Sequence, residues 1–319
     1  MNKLDTPKRL SPEQVEVDSQ HEGQRIDNFL TTYLKGVPKS FIYRILRRGE
    51  VRVNKGRIKP TYRLQVGDMV RIPPLRRGEP TTAAPKPGHN LVELLNNGIL
   101  YEDEGTVILN KPTGIAVHGG SGISFGVIEI LRAARPQAPF LELVHRLDRD
   151  TSGCLIIAKK RSVLRHIHHL LREDGIEKRY LALVQGAWRG EERRVTAPLR
   201  KNVLQSGERV VRVAEDGKPS QTVFRPLRRW SEASLVEAIP LTGRTHQIRV
   251  HAAYIQQPIA GDEKYGDAEF NRIMQEKGLR RLFLHAASLH FATASGDIID
   301  VTAPLDPALQ RVLDALGAE

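Results

Sequence analysis

A single cysteine, Cys154, is all the thiol chemistry in this 319-residue chain. One cysteine excludes an intrachain disulfide framework and suits a reducing cytoplasm. No apolar run approaches the length needed to cross a bilayer. The segment Met1-Asn-Lys-Leu-Asp-Thr-Pro-Lys-Arg9 lacks the apolar core of a signal peptide. A soluble, cytoplasmic protein is expected. No nucleotide-binding glycine fingerprint, internal repeat or coiled-coil stripe occurs, so neither a cofactor nor an oligomer is expected, and the chain is taken as a monomer. Carboxylates are the scarcer charge: 37 Asp+Glu against 49 Lys+Arg leave +12 and a pI near 9.9, which suits a polyanionic partner such as RNA.

Residues 1–20 carry Pro, Ser and charge without period and read as a flexible tail. A compact module follows over 21–75. Ile26, Phe29, Leu30, Tyr33 and Leu34 form an amphipathic helical stripe. Pro38-Lys-Ser40 turns into a second helix buried through Ile42, Ile45 and Leu46 and ended by Gly49. Val51 and Val53 alternate in a strand, Asn54-Lys-Gly56 supplies a turn, and Leu64 to Ile72 suggests a second short hairpin. Between Lys35 and Arg63 stand ten Lys/Arg against one acid, Glu50. Of these Lys39, Arg44, Arg47, Arg48, Arg52, Lys55, Arg57 and Lys59 are the candidate phosphate-neutralising set; a solvated basic face is the alternative. Residues 76–89, rich in Pro, Gly, Thr and Ala, read as a tether that raises the effective concentration of whatever follows.

The rest, 90–319, mixes strands and helices. Thr106–Asn110, Cys154–Ala158, Arg179–Val184, Ser234–Ile239 and Leu282–Ala286 are strand candidates, and Val163 to Leu171 is a helical stripe. The strands are not regularly separated by helices as βαβ units require. The fold class is therefore α+β, with a mixed, mainly antiparallel sheet.

Four segments stand out. His145-Arg-Leu-Asp-Arg-Asp-Thr-Ser-Gly153 sets Asp148 between Arg146 and Arg149, whose guanidinium groups favour an ionised acid. Such a carboxylate is a nucleophile, a base, a metal ligand or half of a structural ion pair. Glu177-Lys-Arg-Tyr-Leu-Ala-Leu-Val184 places Tyr180 in a strand, where a tyrosine is ordinarily half-buried packing. Leu241-Thr-Gly-Arg-Thr-His-Gln-Ile-Arg-Val-His251 runs from a strand end into a helix. The five-residue spacing of its histidines does not put them on one face, so no metal site is expected. Lys111-Pro-Thr-Gly114, with Val117-His-Gly-Gly120, reads as a strand-to-loop connection. Ser152, His145 and Asp148 invite a hydrolytic triad, but no Gly-x-Ser-x-Gly elbow surrounds the serine.

Taken together these segments resemble the motifs of the RluA/RluC family of RNA pseudouridine synthases, and the resemblance spans nearly the whole chain. Residues 23–75 resemble the small RNA-binding domain first described in a ribosomal small-subunit protein. The resemblance implies a cleft across the centre of the catalytic sheet and an activity that isomerises uridine to pseudouridine in large-subunit (23S) ribosomal RNA. It implies that Asp148 is catalytic, that Arg249 pairs with it, that Tyr180 lies against the base and that Ile248 lines the cleft. Arg146 is the candidate to fill the stack vacated by a flipped uracil. Whether Asp148 attacks C1′ or C6, or acts as a base at C2′, stays open. Two other classes compete. One is a non-catalytic assembly factor that only binds ribosomal RNA; the other is an RNA N-glycosidase pairing Asp148 with Glu142 or Asp150. Gly261-Asp-Glu-Lys-Tyr-Gly266 resembles a further family segment and reads as a structural turn.

Overall fold

The computed structural model describes residues 12–19, 21–34, 37–74, 87–119, 125–203 and 209–317. The chain divides into two compact units, 1–85 and 86–319.

In the first unit, strand β1 (Glu13–Glu16) precedes helices α1 (Ile26–Tyr33) and α2 (Lys39–Arg48) and strands β2 (Arg52–Val53), β3 (Gly56–Arg57) and β4 (Met69–Ile72). The sheet order is β1-β4-β2-β3, antiparallel throughout. Ile26, Phe29, Leu30, Ile42, Ile45 and Leu46 bury the two helices against Val51, Val53, Val70 and Ile72. Gly49 closes α2 in the left-handed conformation at φ 70°, a geometry that favours glycine. Asn54 and Lys55 are both left-handed, at φ 49° and 67°, and carry the tight β2–β3 turn.

Two expectations are corrected here. Residues 13–17 are not a free tail: β1 covers the edge of β4, and Val17 is 1% exposed. With only Val15 and Val17 apolar among charged neighbours, the strand carried almost no period. The second hairpin is also absent, because β4 pairs with β1 and β2 rather than with residues 64–66. Of the proposed tether, 76–86 lies outside the described residues, and His89 already opens a helix.

The second unit runs α3 (His89–Asn97), β5 (Ile99–Glu102), β6 (Thr106–Lys111), α4 (Val127–Ala134), β7 (Glu142–Leu143), β8 (Ser152–Ala158), α5 (Arg161–Leu170), β9 (Ile176–Gln185) and β10 (Arg193–Thr196). It continues with β11 (Leu199–Val203), β12 (Arg209–Val213), β13 (Gln221–Arg229), β14 (Ala233–Pro240), α6 (Gln247–Tyr254), α7 (Ala268–Glu276), β15 (Leu284–Ala292), β16 (Ile298–Thr302) and α8 (Pro307–Gly317). One sheet orders β10-β13-β14-β9-β15-β8-β6-β5, with β16 on β15 and β7 on β8; β11 and β12 form a separate hairpin. All pairings are antiparallel except β15 with β8, so the mixed, mainly antiparallel sheet is borne out. One core gathers α4 and α5 on β6 and β8, and a second gathers α6, α7 and α8 on β9 and β14. Between them a transverse row reads Lys111, Gly153, Ala286, Tyr180 and Ala238.

Candidate active site

Asp148 stands on the loop entering β8, and neighbouring groups pin that loop. The Lys111 ammonium donates to the carbonyls of Pro112, Ile115 and Arg149 at 2.9, 2.8 and 3.0 Å. Burial pulls Lys111 down to about 7, yet all three protons have acceptors, an arrangement that only the charged amine fills. The Gly114 N–H donates to Arg149 O, and the Thr113 hydroxyl to Asp150 O. From the other side Arg281 donates to Ser152 Oγ at 2.7 Å and to Asp150 O at 3.3 Å. Gly153 ends the loop at φ 105°, where a Cβ would stand 2.2 Å from Ala286 O; no other residue fits there. The Lys-Pro-Thr-Gly motif thus grips the Asp148 loop and does not line the cavity.

A cavity of about 420 Å³ opens over this loop, lined by Arg146, Asp148, Tyr180, His246, Ile248 and Arg249 among others. Arg249 Nη1 lies 3.6 Å and His246 Nε2 3.7 Å from the same oxygen, Asp148 Oδ2. Arg249 makes its short bonds elsewhere. Nε and Nη2 donate to Asp262 at 2.8 and 2.7 Å, with both side chains buried, 10% and 1% exposed. Burial alone would raise the Asp262 carboxyl; the Arg249 guanidinium and the N–H groups of Tyr265 and Lys264 hold it below the usual carboxylate range. The Tyr265 ring lies under the guanidinium, 5.1 Å from its carbon. Burial and the Asp148 charge push the Tyr180 hydroxyl well up, so it stays protonated.

Helix α6 carries Ile248 and Arg249 because its first residue is locked. The Gln247 amide donates to Gln221 O and Thr222 Oγ1 and accepts from the Thr242 hydroxyl and the Arg244 N–H. His251 bonds Thr222, Ser220 and Ala197, away from the cavity. His246, one residue before α6, takes a left-handed backbone at φ 54° and faces Asp148.

The cavity brings together Asp148, Tyr180, Ile248, Arg249 and Arg146. It does not place Arg149 on Asp148: Arg149 pairs with Asp150 at 3.1 Å. Arg146 is exposed and has no side-chain hydrogen bond or ion pair among the described residues. The cation facing Asp148 is Arg249, about a hundred residues on. The hydrolytic triad fails, because Ser152 is buried against His285 at 2.9 Å while His145 Nε2 accepts the Ile156 N–H and is held neutral, pushed down to about 4 by burial. Glu142 pairs with Arg132, and neither it nor Asp150 lines the cavity, so an N-glycosidase lacks its second carboxylate. Sequence reasoning missed His246, Asp262 and Tyr265 as site residues; Gly261-Asp-Glu-Lys-Tyr-Gly266 resembles a family segment but reads as a structural turn.

In the first unit Arg44, Arg47, Arg48, Arg52, Lys55, Arg57 and Lys59 are exposed along the end of α2 and the β2–β3 hairpin; the Lys39 side chain lies outside the described part. Within this set Arg48 alone meets a carboxylate among the described residues, Glu50 at 3.8 Å.

The RNA pseudouridylate synthase family matches residues 105–254, and the S4 domain family matches residues 24–70. The chain is 58% identical over 99% of its length to "Ribosomal large subunit pseudouridine synthase C" of Salmonella typhi, covering 99% of that protein, and 58% identical to the protein of that name from Escherichia coli strain K12, covering 98% of each. The solved structure of "Human RNA Pseudouridylate Synthase Domain Containing 4" is similar with a TM-score of 0.60 and 26% identity, over 72% of this chain and 96% of that one. With Asp148, Tyr180 and Arg249 gathered on one cavity and this similarity running end to end, the chain belongs to the RNA pseudouridine synthase family and carries an N-terminal S4 domain.

Proposed function

We propose that the chain converts uridines of large-subunit ribosomal RNA to pseudouridine, with Asp148 as the catalytic carboxylate. The observation that carries this reading is one carboxylate, Asp148, sharing a cavity with a buried arginine and a protonated tyrosine. The name carried by the relatives that match end to end supports the choice of RNA. The bond from C1′ to uracil N1 breaks, the ring turns while held, and C1′ joins C5. C5 loses its hydrogen and N1 gains one, so mass is unchanged and no redox partner or group donor is needed. Attack at C1′, attack at C6 and proton removal at C2′ all require the ionised carboxylate, which Arg249 aims. Tyr180 confines the base, by stacking worth about 1–3 kcal/mol, and Ile248 supplies an apolar wall.

A uracil within folded RNA must be flipped out, at roughly a few kcal/mol. Arg146, exposed at the cavity and uncommitted to any carboxylate, fills the gap. The exposed cations of the S4 domain hold the surrounding phosphates. In this reading the enzyme works as a monomer in the cytoplasm, which sedimentation of the purified chain checks.

Pseudouridine mapping of ribosomal RNA from cells with and without the protein tests the proposal. Loss of specific large-subunit pseudouridines on deletion supports it. An unchanged map favours a binding-only factor, and abasic sites with free uracil would point to a glycosidase.

A further inference from the structure

A chain of hydrogen bonds runs to His246, whose Nε2 faces the Asp148 carboxylate at 3.7 Å. It begins outside the main sheet, where the Val211 N–H of β12 donates to the Tyr265 hydroxyl oxygen at 2.9 Å. That oxygen lies 2.7 Å from His246 Nδ1. Of the phenol's two hydrogen-bond partners among the described residues, Nδ1 is the one able to accept its proton. A neutral imidazole that accepts at Nδ1 carries its own proton on Nε2. Burial, the dominant influence, holds His246 below its ordinary range against the pull of Asp148, so the ring is neutral at pH 7. Nε2 then faces Asp148 Oδ2, the oxygen also nearest to Arg249 Nη1.

The backbone agrees. His246 is one of five non-glycine residues with positive φ among the described residues. This uncommon conformation stands directly beside the cavity, where strain of this kind is retained for a purpose. The surrounding charges explain why a neutral donor serves. His246 is faced by Asp148, by Arg249 of α6, and by Asp262, Lys264 and Tyr265 of the following loop. Asp262 already neutralises Arg249. An imidazolium would add a second positive charge against Asp148 and quench it as a nucleophile or base; a neutral N–H orients the carboxylate without doing so.

We propose that His246 is a positioning residue for the reaction: Tyr265 locks its imidazole in the Nε2–H form, and Nε2–H and Arg249 together hold Oδ2 so that Oδ1 is presented to the substrate. This rests on the assignment of Asp148 as the catalytic carboxylate.

The tautomer is measurable without any reaction. In the full chain with ¹⁵N-labelled histidine, long-range proton–nitrogen spectra at pH 7 should show one ring, absent from His246→Gln, with Nε2 protonated and Nδ1 bare. Tyr265→Phe should convert that signal to mixed tautomers. An Nδ1–H form or an imidazolium in the unmodified chain overturns the proposal. Kinetically, Tyr265→Phe and His246→Leu should lower kcat about ten- to a hundredfold, the loss of one N–H dipole aimed at a charged group, with KM for RNA unchanged. His246→Gln, whose amide N–H reaches the Nε2 position, should recover most of the loss. The acid limb of the rate profile should move to higher pH in Tyr265→Phe, because nothing then competes for Nδ1. A loss confined to KM, or equal rates in His246→Leu and the unmodified chain, sinks the relay and leaves the role of Asp148 standing. If the unmodified chain forms no pseudouridine on ribosomal RNA, the parent reading fails first and the relay with it. Should His246→Leu fail to fold, the tautomer in the unmodified chain and its response to Tyr265→Phe decide the matter.

Discussion

Asp262→Asn is expected to cost roughly 3–5 kcal/mol of stability, the usual penalty for removing one partner of a buried ion pair. Arg249 and Asp262 meet through two bonds of 2.8 and 2.7 Å, and both side chains are nearly inaccessible. The lower half of the range applies, since Asp148, at 3.6 Å, remains as a distant counter-charge. For a domain of about 150–250 residues, roughly 3–4 kcal/mol corresponds to a fall in Tm of about 6–16 °C. Trp188 and Trp230 belong to the core that contains α6, so tryptophan fluorescence follows the affected half directly. Activity, read as release of the C5 hydrogen from tritiated uracil in RNA, should fall about tenfold or more, because the full charge of Arg249 then bears on Asp148. Arg249→Met combined with Asp262→Asn should recover most of the stability and none of the activity. Acid provides a further check. The depressed Asp262 carboxyl contributes stability that is present above its unfolded value near pH 4 and lost as pH falls through its lower folded value. The stability gap between the unmodified chain and Asp262→Asn should therefore close below about pH 4. A single variant within about 1 kcal/mol of the original, or a double variant no more stable than the single, would refute the reasoning.

Asp148→Asn should fold and bind RNA normally yet form no pseudouridine; any measurable product from the pure protein removes Asp148 from its assigned role. Deleting residues 1–85 should weaken RNA binding and flatten its salt dependence by roughly 0.7–0.9 of a slope unit per lost phosphate contact, with the catalytic unit still folded; an unchanged slope would show that the S4 domain is not the anchor. Arg146→Ala should slow the reaction on structured RNA and much less where the target uridine is mismatched, because flipping then costs less; equal defects on both substrates would confine Arg146 to electrostatics.

What the chain discloses as sequence follows from how locally each feature is made. Buried strands such as β6 and β8 are near-continuous apolar runs, and α1 and α2 carry clear helical stripes, so their existence is visible. Strand β1 is not, because its partner β4 lies more than fifty residues away and Glu13-Gln-Val-Glu has no apolar period. The separate β11–β12 hairpin likewise gave no signal, although the Val211 N–H donates to the Tyr265 hydroxyl beside the cavity.

Motif resemblance located Asp148, Tyr180 and Arg249 because these lie on contiguous, distinctive strings. It could not apportion charge among them. Asp148 sits between Arg146 and Arg149 in sequence, and the obvious inference is that they neutralise it. Instead Arg146 is exposed and Arg149 pairs with Asp150 in the turn that the Thr151 N–H closes onto Asp148 O, while α6 delivers Arg249 from across the sheet. Arg249 in turn cannot stand buried opposite a reactive carboxylate alone, since an uncompensated guanidinium would either unfold the helix or quench the acid. Asp262 resolves that conflict. Arg249 and Asp262 cancel one another, so the Asp148 charge is not consumed by the arginine that faces it. A residue that looked like part of a turn is thus what lets a buried arginine stand 3.6 Å from Asp148 with its own charge already matched.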